Sequence, residues 1–205
     1  MLLKSADNKD SQSSVLKNLL DHKNISAEKK RQTERELRNL LAGIATEKQA
    51  AYDINFYFGQ SKNVIVVHDL RLEVNGSVAQ IDHLLMTRAF DMFVLETKTY
   101  STGLSIGEKG EFSTSYDGRD VGISSPLEQN NRHIAVLRDA FKQVGLPKRL
   151  GIAIQPSFHS VTLVSSKGTI SRPKKSKVDS DGIVKSDQFF SWYKEKLDEA
   201  KISKQ

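Results

Sequence analysis

Two neighbouring stretches, Gln80-Ile81-Asp82-His83-Leu84-Leu85 and Val94-Leu95-Glu96-Thr97-Lys98, decide the fold of this chain. Each stretch predicts a β-strand, and the second alternates its side chains between two faces. The connection Arg88-Ala89-Phe90 predicts that the two strands form an antiparallel hairpin with its turn centred on Ala89. The other predicted elements lie on either side of this hairpin in the sequence.

The hairpin register brings charged side chains together. Pairing about the turn places Asp82 across from Glu96, and Gln80 across from Lys98. Facing side chains in such a pair have Cβ atoms about 4.5–5.5 Å apart. Two carboxylates at that distance repel each other unless a cation lies between them. The sequence therefore predicts a divalent-metal site with a lysine beside it.

The remaining pattern predicts a mixed α/β (α+β) fold, in which a mixed central sheet is flanked by helices. The predicted helices cover residues 27–42, 44–58, 126–141 and 186–200, and the predicted strands cover residues 64–74, 78–87, 92–99, 151–155 and 160–166. Gly43 is predicted to end the first helix. The Asn75-Gly76 turn makes the first two strands antiparallel neighbours. Residues 100–122 predict small hairpins and loops.

The composition suggests three parts. Residues 1–42 are predicted to form a polar, partly helical N-terminal extension, whose first 26 residues form a loose helix or stay mobile. Residues 43–168 form the core domain. Residues 169–205 hold a basic linker, Arg172-Pro173-Lys174-Lys175-Ser176-Lys177, and a C-terminal helix that packs on the core.

The overall charge and the missing residue types limit the possible functions. The chain has 205 residues and a net charge of +6, which favours an anionic partner such as nucleic acid or a membrane surface. It has no cysteine, which excludes disulfides, thiolate metal sites and cysteine nucleophiles. No phosphate-binding loop or dinucleotide fingerprint is present, so no nucleotide cofactor is expected. With no signal peptide or membrane span evident, we expect a cytoplasmic protein without a membrane partner.

Glu47 is a charged residue on the apolar face of its predicted helix. It falls on the apolar stripe formed with Ile44, Ala51, Ile54 and Phe58. A carboxylate on a buried face is costly unless it is protonated, paired or bound to a metal. Glu47 is therefore either a functional residue or a side chain turned toward a surface base.

As a set, these segments resemble the PD-(D/E)XK nuclease superfamily and, more narrowly, the nuclease-related domain (NERD) family. The string Ala79-Gln80-Ile81-Asp82-His83-Leu84-Leu85 is similar to the motif around that family's second metal ligand, and Glu96-Thr97-Lys98 is similar to its E-x-K motif. Ser125-Pro126-Leu127-Glu128-Gln129, followed by His133, is similar to its helix signature. The resemblance covers roughly residues 43–166.

The resemblance implies a restriction-endonuclease-like αβββαβ core and a metal-dependent nuclease that hydrolyses phosphodiester bonds, with DNA as the expected partner. It implies that Asp82 and Glu96 bind Mg²⁺ or Mn²⁺ together with the Thr97 backbone carbonyl. It also implies that Lys98 holds the attacking water or helps to deprotonate it.

Two further residues gain roles from the same resemblance. Glu47 would complete the metal shell or orient a water ligand, and Gln129 would position Lys98 or a phosphate oxygen. The chain departs from the superfamily at Ile81, where the superfamily's name expects proline. That proline carries no chemistry, so the departure leaves the expected activity intact.

Elementary chemistry supports the same function. Oxygen ligands without Cys or clustered His favour Mg²⁺ or Mn²⁺ over zinc. A bound divalent ion neutralises a phosphodiester and lowers the pKa of its water, and a nearby lysine stabilises the developing charge. The expected nucleic-acid contacts are Lys98, Arg172, Lys174, Lys175 and Lys177.

Several alternatives stay open at this point. Asp82 and Glu96 are also compatible with an exposed sheet face, and Lys98 with a simple salt bridge. The basic linker is equally typical of a solvated segment, and His83 and His133 are more typical of packing than of catalysis. For the whole chain, the alternative is a catalytically silent nuclease-fold module that binds nucleic acid or a protein partner. RNA is a weaker alternative substrate.

Overall fold

The structure is a computed structural model that describes residues 1–100, 102–116, 118–175 and 177–202. Within these residues the α-helices are α1 (Asp10–Leu20), α2 (Ala27–Phe58), α3 (Pro126–Val144) and α4 (Phe189–Ile202). The strands are β1 (Leu2–Lys4), β2 (Val64–Val74), β3 (Ser77–Thr87), β4 (Asp91–Lys98), β5 (Leu104–Ile106), β6 (Phe112–Tyr116), β7 (Arg119–Ile123), β8 (Lys148–Arg149), β9 (Ile152–Ala153), β10 (Ser157–Val164), β11 (Ile170–Ser171) and β12 (Ile183–Lys185).

The main sheet is mixed, with the strand order β1-β2-β3-β4-β10-β12. Its centre, from β2 to β4, is antiparallel, whereas β1, β10 and β12 join in parallel. A smaller sheet has the order β11-β5-β6-β7, which matches the hairpins predicted for residues 100–122. Strands β8 and β9 form a separate short hairpin.

Helices cover both faces of the main sheet. Ile54 and Phe58 of α2 pack with Phe189 and Tyr193 of α4 against one face. On the other face, Ile134 of α3 and its neighbours pack against apolar side chains of β3 and β4. This mixed α/β architecture confirms the predicted fold class.

The two predicted hairpins have the expected geometry. Asn75 and Gly76 both have positive φ angles, of 51° and 76°, as a tight turn of this kind requires. The β3–β4 pairing begins at Met86 opposite Met92, so its turn is centred on Ala89 as predicted. The register of the strands that carry the candidate site is therefore correct.

The β3–β4 ladder ends earlier than predicted. Its last pair is His83 with Leu95, one step short of Asp82 and Glu96. Beyond it, β3 stays paired with β2, while β4 continues beside β10 as far as Lys98. The prediction that Gln80 faces Lys98 was therefore wrong, because the two strands separate before reaching these residues.

Helix α2 also differs from the prediction. It runs unbroken from Ala27 to Phe58, through Gly43 and across the boundary placed between residues 42 and 43. A glycine inside a helix costs only about 0.5–1 kcal/mol relative to alanine. Packing of Ala50, Ile54 and Phe58 into the core outweighs that cost.

The N-terminal extension contains a helix, which was one of the two predicted alternatives, and a strand that the sequence did not predict. β1 pairs in parallel with β2, and the amino group of Met1 donates to the carbonyl oxygens of Phe58 and Val64. Helix α1 packs beside α2. Among the described residues, no helix combines the length and apolarity needed to cross a membrane.

The C-terminal half contains smaller differences. The predicted strand at residues 151–155 is reduced to Ile152–Ala153, and the strand predicted at residues 160–166 begins earlier, at Ser157. A short 3-10 turn, Ser186–Gln188, precedes α4. Helix α3 begins as predicted, with Ser125 as N-cap and Pro126 in the first turn.

Candidate active site

A closed ring of hydrogen bonds joins the end of β4 to α3. Oε1 of Glu96 lies 2.9 Å from Nζ of Lys98 and accepts a 2.7 Å hydrogen bond from Nε2 of Gln129. The Lys98 ammonium donates to Oε1 of Gln129 at 2.9 Å. Glu96 is only 4% exposed, so this ring lies in a largely dry environment where charged hydrogen bonds are strong.

The start of α3 fixes the position of Gln129. Ser125 caps the helix by accepting a hydrogen bond from the backbone N–H of Glu128. The next residue along, Asn130, is fully buried, and its Nδ2 lies 2.6 Å from the carbonyl oxygen of Val94 and 3.1 Å from that of Val161. Asn130 thus clamps α3 to β4 and β10. An amide on an otherwise apolar helical stripe was the available sequence signal for it.

The second oxygen of Glu96 has different surroundings. Oε2 is buried and has no hydrogen-bond partner among the residues that the structure describes, and Nδ1 of His133 lies 3.6 Å from it. Burial lowers the pKa of His133, which keeps the imidazole neutral at pH 7. A buried carboxylate oxygen without a donor is costly, and it is available to a ligand.

Asp82 approaches the same point from β3. Its Oδ2 accepts a 2.7 Å hydrogen bond from the backbone N–H of Thr97, the residue between Glu96 and Lys98. Burial, followed by the charge of Glu96, raises the pKa of Asp82 to about 7. The repulsion between Asp82 and Glu96 shows that the two carboxylates share one electrostatic environment.

Glu47 lies on α2 directly after Thr46, whose hydroxyl accepts a 2.7 Å hydrogen bond from Thr99 just beyond β4, and the charge of Glu47 also raises the pKa of Asp82. Its carboxylate forms an ion pair with Lys9, whose Nζ lies 2.9 Å from Oδ1 of Asp69. Asp69 has a positive φ of 48° and lies between His68 and Leu70, which pair with His83 and Ile81 on either side of Asp82. Sequence reasoning missed Lys9 and Asp69, because only the tertiary fold brings the N-terminal segment to β2.

A buried chain of side chains supports Thr97 from the opposite face. Thr97 Oγ1 lies 3.3 Å from Nε2 of His83, and Nδ1 of His83 lies 2.8 Å from Nδ1 of His68. Nε2 of His68 lies 3.1 Å from Oδ1 of Asn55 on α2. His83 is thus a buried, hydrogen-bonded residue of the core.

A comparison with known families agrees with this geometry. The family model described as nuclease-related domain (NERD) matches residues 42–165, which is more than half of the chain. The chain belongs to the nuclease-related domain family. No curated protein and no solved structure matches the chain.

The matched nuclease-related domain contains Glu47, Asp82, Glu96, Lys98 and Gln129, which the structure brings to one end of β4. The match begins inside α2 and leaves out Lys9, so the cation that pairs with Glu47 comes from outside the family's domain. The sequence resemblance to this family is confirmed.

The donor atoms of the nuclease-related domain fit a hard divalent cation. Among the described residues, no group of three or more His, Cys, Asp or Glu side chains could hold a metal ion. The Asp82 and Glu96 carboxylates would supply two protein ligands, and a main-chain oxygen such as the Thr97 carbonyl would supply a third. The unpartnered Glu96 Oε2 is an oxygen donor of the kind that Mg²⁺ and Mn²⁺ prefer.

The basic segment lies apart from these contacts. Arg172 donates to the carbonyl oxygen of Ile183, and the backbone N–H of Lys177 donates to the carbonyl oxygen of Glu108. Lys174, Lys175 and Lys177 are exposed. These contacts attach the segment to β12 and to the β5–β6 turn, and its role toward nucleic acid stays a prediction.

Proposed function

We propose that this chain is a metal-dependent nuclease that hydrolyses phosphodiester bonds of DNA. The observation that carries the proposal is the ring formed by Glu96, Lys98 and Gln129, with Asp82 bound to the intervening Thr97. The Glu96 carboxylate, the Lys98 ammonium group and the Gln129 amide are thereby held within hydrogen-bond reach of one another, and Asp82 holds the backbone N–H between Glu96 and Lys98. Few structural roles require two mutually repelling acids at one buried position.

Asp82 and Glu96 are the proposed protein ligands for Mg²⁺ or Mn²⁺, with the Thr97 carbonyl as a third donor. When bound, such an ion neutralises phosphate charge and lowers the pKa of a coordinated water. Glu47 is proposed to assist from α2, since its charge already acts on Asp82.

Lys98 is proposed to act directly on the substrate. Its side chain is 28% exposed, so the ammonium group can be reached from solvent. Two of its three N–H bonds point to Glu96 and Gln129, which leaves one donor for the attacking water or a phosphate oxygen. Gln129 bridges Lys98 and Glu96 and thereby restricts the rotamers of both.

The surroundings of the site suit an anionic polymer. A groove lined by Gln129, His133 and Arg132 of α3, with Ser77 and Val78 of β3, runs beside the ring. Arg132 is exposed there and can bind a phosphate. The chain's net charge of +6 favours association with nucleic acid.

The proposal is tested by cleavage of a labelled DNA duplex and the matched single strand, in Mg²⁺, in Mn²⁺ and in EDTA. We expect Asp82→Ala and Glu96→Ala to abolish metal-dependent cleavage, because each removes a ligand. Glu73→Ala, which removes an exposed carboxylate of β2, is the matched control and should cleave as the wild type does. A matched RNA strand tests the alternative substrate. Undiminished cleavage by a folded Glu96→Ala protein would refute the proposal.

A second function is favoured by one observation. Lysine ammonium groups already neutralise two of the acids, since Lys98 pairs with Glu96 and Lys9 pairs with Glu47. This arrangement suits a catalytically silent nuclease-fold module that binds nucleic acid or a protein partner. Full DNA affinity in EDTA, with no cleavage in Mg²⁺ or Mn²⁺, would select this function over hydrolysis.

A further inference from the structure

The buried chain of Asn55, His68, His83 and Thr97 lies where backbone pairing stops. The β3–β4 ladder ends at the pair formed by His83 and Leu95, so β3 no longer holds the next residues of β4 through backbone hydrogen bonds. Two side chains of β3 bind these residues of β4 instead. Asp82 accepts from the Thr97 backbone N–H, and His83 contacts the Thr97 hydroxyl.

When both rings are neutral, the Asn55 end fixes the direction of every hydrogen bond in this chain. The Asn55 Oδ1 atom only accepts, so His68 carries its proton on Nε2. Neutral His68 then accepts at Nδ1, and His83 donates to it from Nδ1–H. Neutral His83 is left with an accepting Nε2, to which the Thr97 hydroxyl donates.

The rings satisfy the condition on which this assignment depends. His68 is 0% exposed and His83 is 2% exposed, and their Nδ1 atoms are only 2.8 Å apart. Two imidazolium ions cannot face each other at that distance, and complete burial makes even one imidazolium ion costly at this position. Burial also lowers the pKa of both rings, in agreement with two neutral imidazoles.

We propose that Asn55, His68 and His83 form a positioning relay that fixes Thr97, and through it the neighbouring Glu96 and Lys98, where the β3–β4 ladder has ended. The catalytic meaning of this relay rests on the nuclease function proposed above. The relay itself is a property of the fold. Its members touch neither substrate nor metal through their side chains and act through the backbone of β4.

The relay can be tested without measuring nuclease activity. In ¹⁵N-labelled protein at neutral pH, the imidazole nitrogen spectrum should show His83 as the Nδ1–H tautomer and His68 as the Nε2–H tautomer. Asn55→Leu removes the acceptor that sets these tautomers and should release both rings from a single tautomer. Thr97→Val removes only the last hydroxyl donor and should leave both tautomers in place. The opposite tautomers in the wild type, or rapid exchange between tautomers, would overturn the proposal.

Amide hydrogen exchange measures how firmly the backbone at Thr97 is held in place. We expect the residue 97 amide, which binds Asp82, to exchange about tenfold faster in Thr97→Val than in the wild type, as loss of one buried hydrogen bond predicts. The Leu95 amide should be unchanged, and Thr97→Ser should restore protection. Thr114→Val, in β6, is a control that should change neither amide. Equal protection of residue 97 in Thr97→Val and the wild type would also overturn the proposal.

If the wild type cleaves DNA, a third readout connects the relay to catalysis. Thr97→Val should lower kcat by about tenfold while KM for DNA changes little, since a misplaced Lys98 weakens transition-state contacts more than binding. An unchanged kcat would refute the catalytic role. If the wild type does not cleave, the proposed nuclease function fails, while the tautomers and amide exchange still decide whether the relay exists.

Discussion

Glu96 shows at the scale of one residue why the site suits a cation. One oxygen pairs with the Lys98 ammonium group and accepts a hydrogen bond from Gln129, whereas the other is buried without a donor among the described residues. Asp82 lies close enough for its pKa to rise in response to Glu96. A divalent cation would relieve both the unpaired oxygen and the repulsion between the two acids.

Lys9 is expected to compete with a divalent ion, because its ammonium group pairs with Glu47 and Asp69 and its charge lowers the pKa of Asp82. Lys9→Met should therefore raise the affinity for Mn²⁺ by roughly threefold to tenfold, as expected for about 1 kcal/mol of charge repulsion. Titration calorimetry measures this change.

The control for this experiment is Lys4→Met. Lys4 belongs to the same N-terminal segment but pairs with Asp7 at the surface. Its replacement should leave the Mn²⁺ affinity unchanged. Equal affinities for the wild type, Lys9→Met and Lys4→Met would show that Lys9 is only a structural ion pair.

Asp82 gives the stability of the fold a pH dependence of known sign. Burial and Glu96 raise its pKa from the ordinary value of 3.8 to about 7 in the folded protein. The folded chain then binds the proton more tightly than the unfolded chain between these values. The stabilisation from the protonated form is complete below about pH 4 and is lost as the pH rises through about 7.

Asp82→Asn should remove this loss of stability at high pH. The amide stays neutral at every pH, and its oxygen can still accept the hydrogen bond from the Thr97 backbone N–H. We expect its free energy of unfolding, relative to the wild type, to increase between pH 4 and pH 8. The gain is at most a few kcal/mol, since one pKa unit corresponds to about 1.4 kcal/mol. Urea unfolding at a series of pH values measures it. Asp120→Asn, an exposed change in β7, should track the wild type, and a gain independent of pH would contradict the expected role of Asp82.

At the scale of elements, Asn130 holds α3 against β4 and β10. Asn130→Ala should lower the free energy of unfolding by about 2–4 kcal/mol, because it leaves buried carbonyl oxygens of Val94 and Val161 without that donor and opens a cavity. Asn131→Ala removes an exposed amide one residue along the same helix and should cost little. Chemical unfolding of both variants checks this. Equal free energies of unfolding for the two variants would show that Asn130 does not hold α3 against the sheet.

The central hairpins could be predicted from sequence because their signals are local. Asn75-Gly76 specifies a tight turn, and alternation in β4 fixes which side chains share a face with Glu96. Ser125 and Pro126 likewise indicated the start of α3. Each signal involves residues within a few positions of one another, so it survives without knowledge of the tertiary structure.

The elements that were missed depend on distant contacts. β1 forms because Met1 reaches the carbonyl oxygens of Phe58 and Val64, far along the chain. Helix α2 continues through Gly43 because its C-terminal half is anchored in the core. Where the β3–β4 ladder ends early, the Asp82 side chain accepts from the Thr97 backbone N–H, a contact that no local sequence signal indicates.

The same contrast between local sequence signals and distant contacts applies to the candidate active site. The sequence indicated Asp82, Glu96 and Lys98 from one hairpin, and the structure places them together. It did not indicate Lys9 or Asp69, which meet only after the N-terminal segment has folded back onto β2. The short-range pattern therefore located the acids and Lys98, whereas the contacts of Lys9 and Asp69 required the fold.

At the scale of the whole molecule, the basic segment is expected to add affinity without sequence preference. Replacing Lys174, Lys175 and Lys177 together with alanine should weaken DNA binding, because fewer phosphates are then neutralised. The slope of log K against log salt should become shallower by up to about 0.9 for each phosphate that the variant no longer neutralises. Binding is measured by fluorescence anisotropy at several salt concentrations.

A matched variant separates this effect from net charge. Replacing Lys29, Lys30 and Arg31 with alanine removes the same charge from an exposed part of α2. It should change the slope less than the triple change in the basic segment. Equal slopes for the two variants would show that only overall charge matters.

The central claim is that Asp82 and Glu96 converge on one cation-binding position. The most direct measurement is the anomalous difference density of a crystal of this protein soaked in Mn²⁺. We expect a peak bound by the carboxylates of Asp82 and Glu96 and by the Thr97 carbonyl, and its loss in Glu96→Gln crystals soaked in the same way. Mn²⁺ density elsewhere on the protein, with none between Asp82 and Glu96, would contradict the claim.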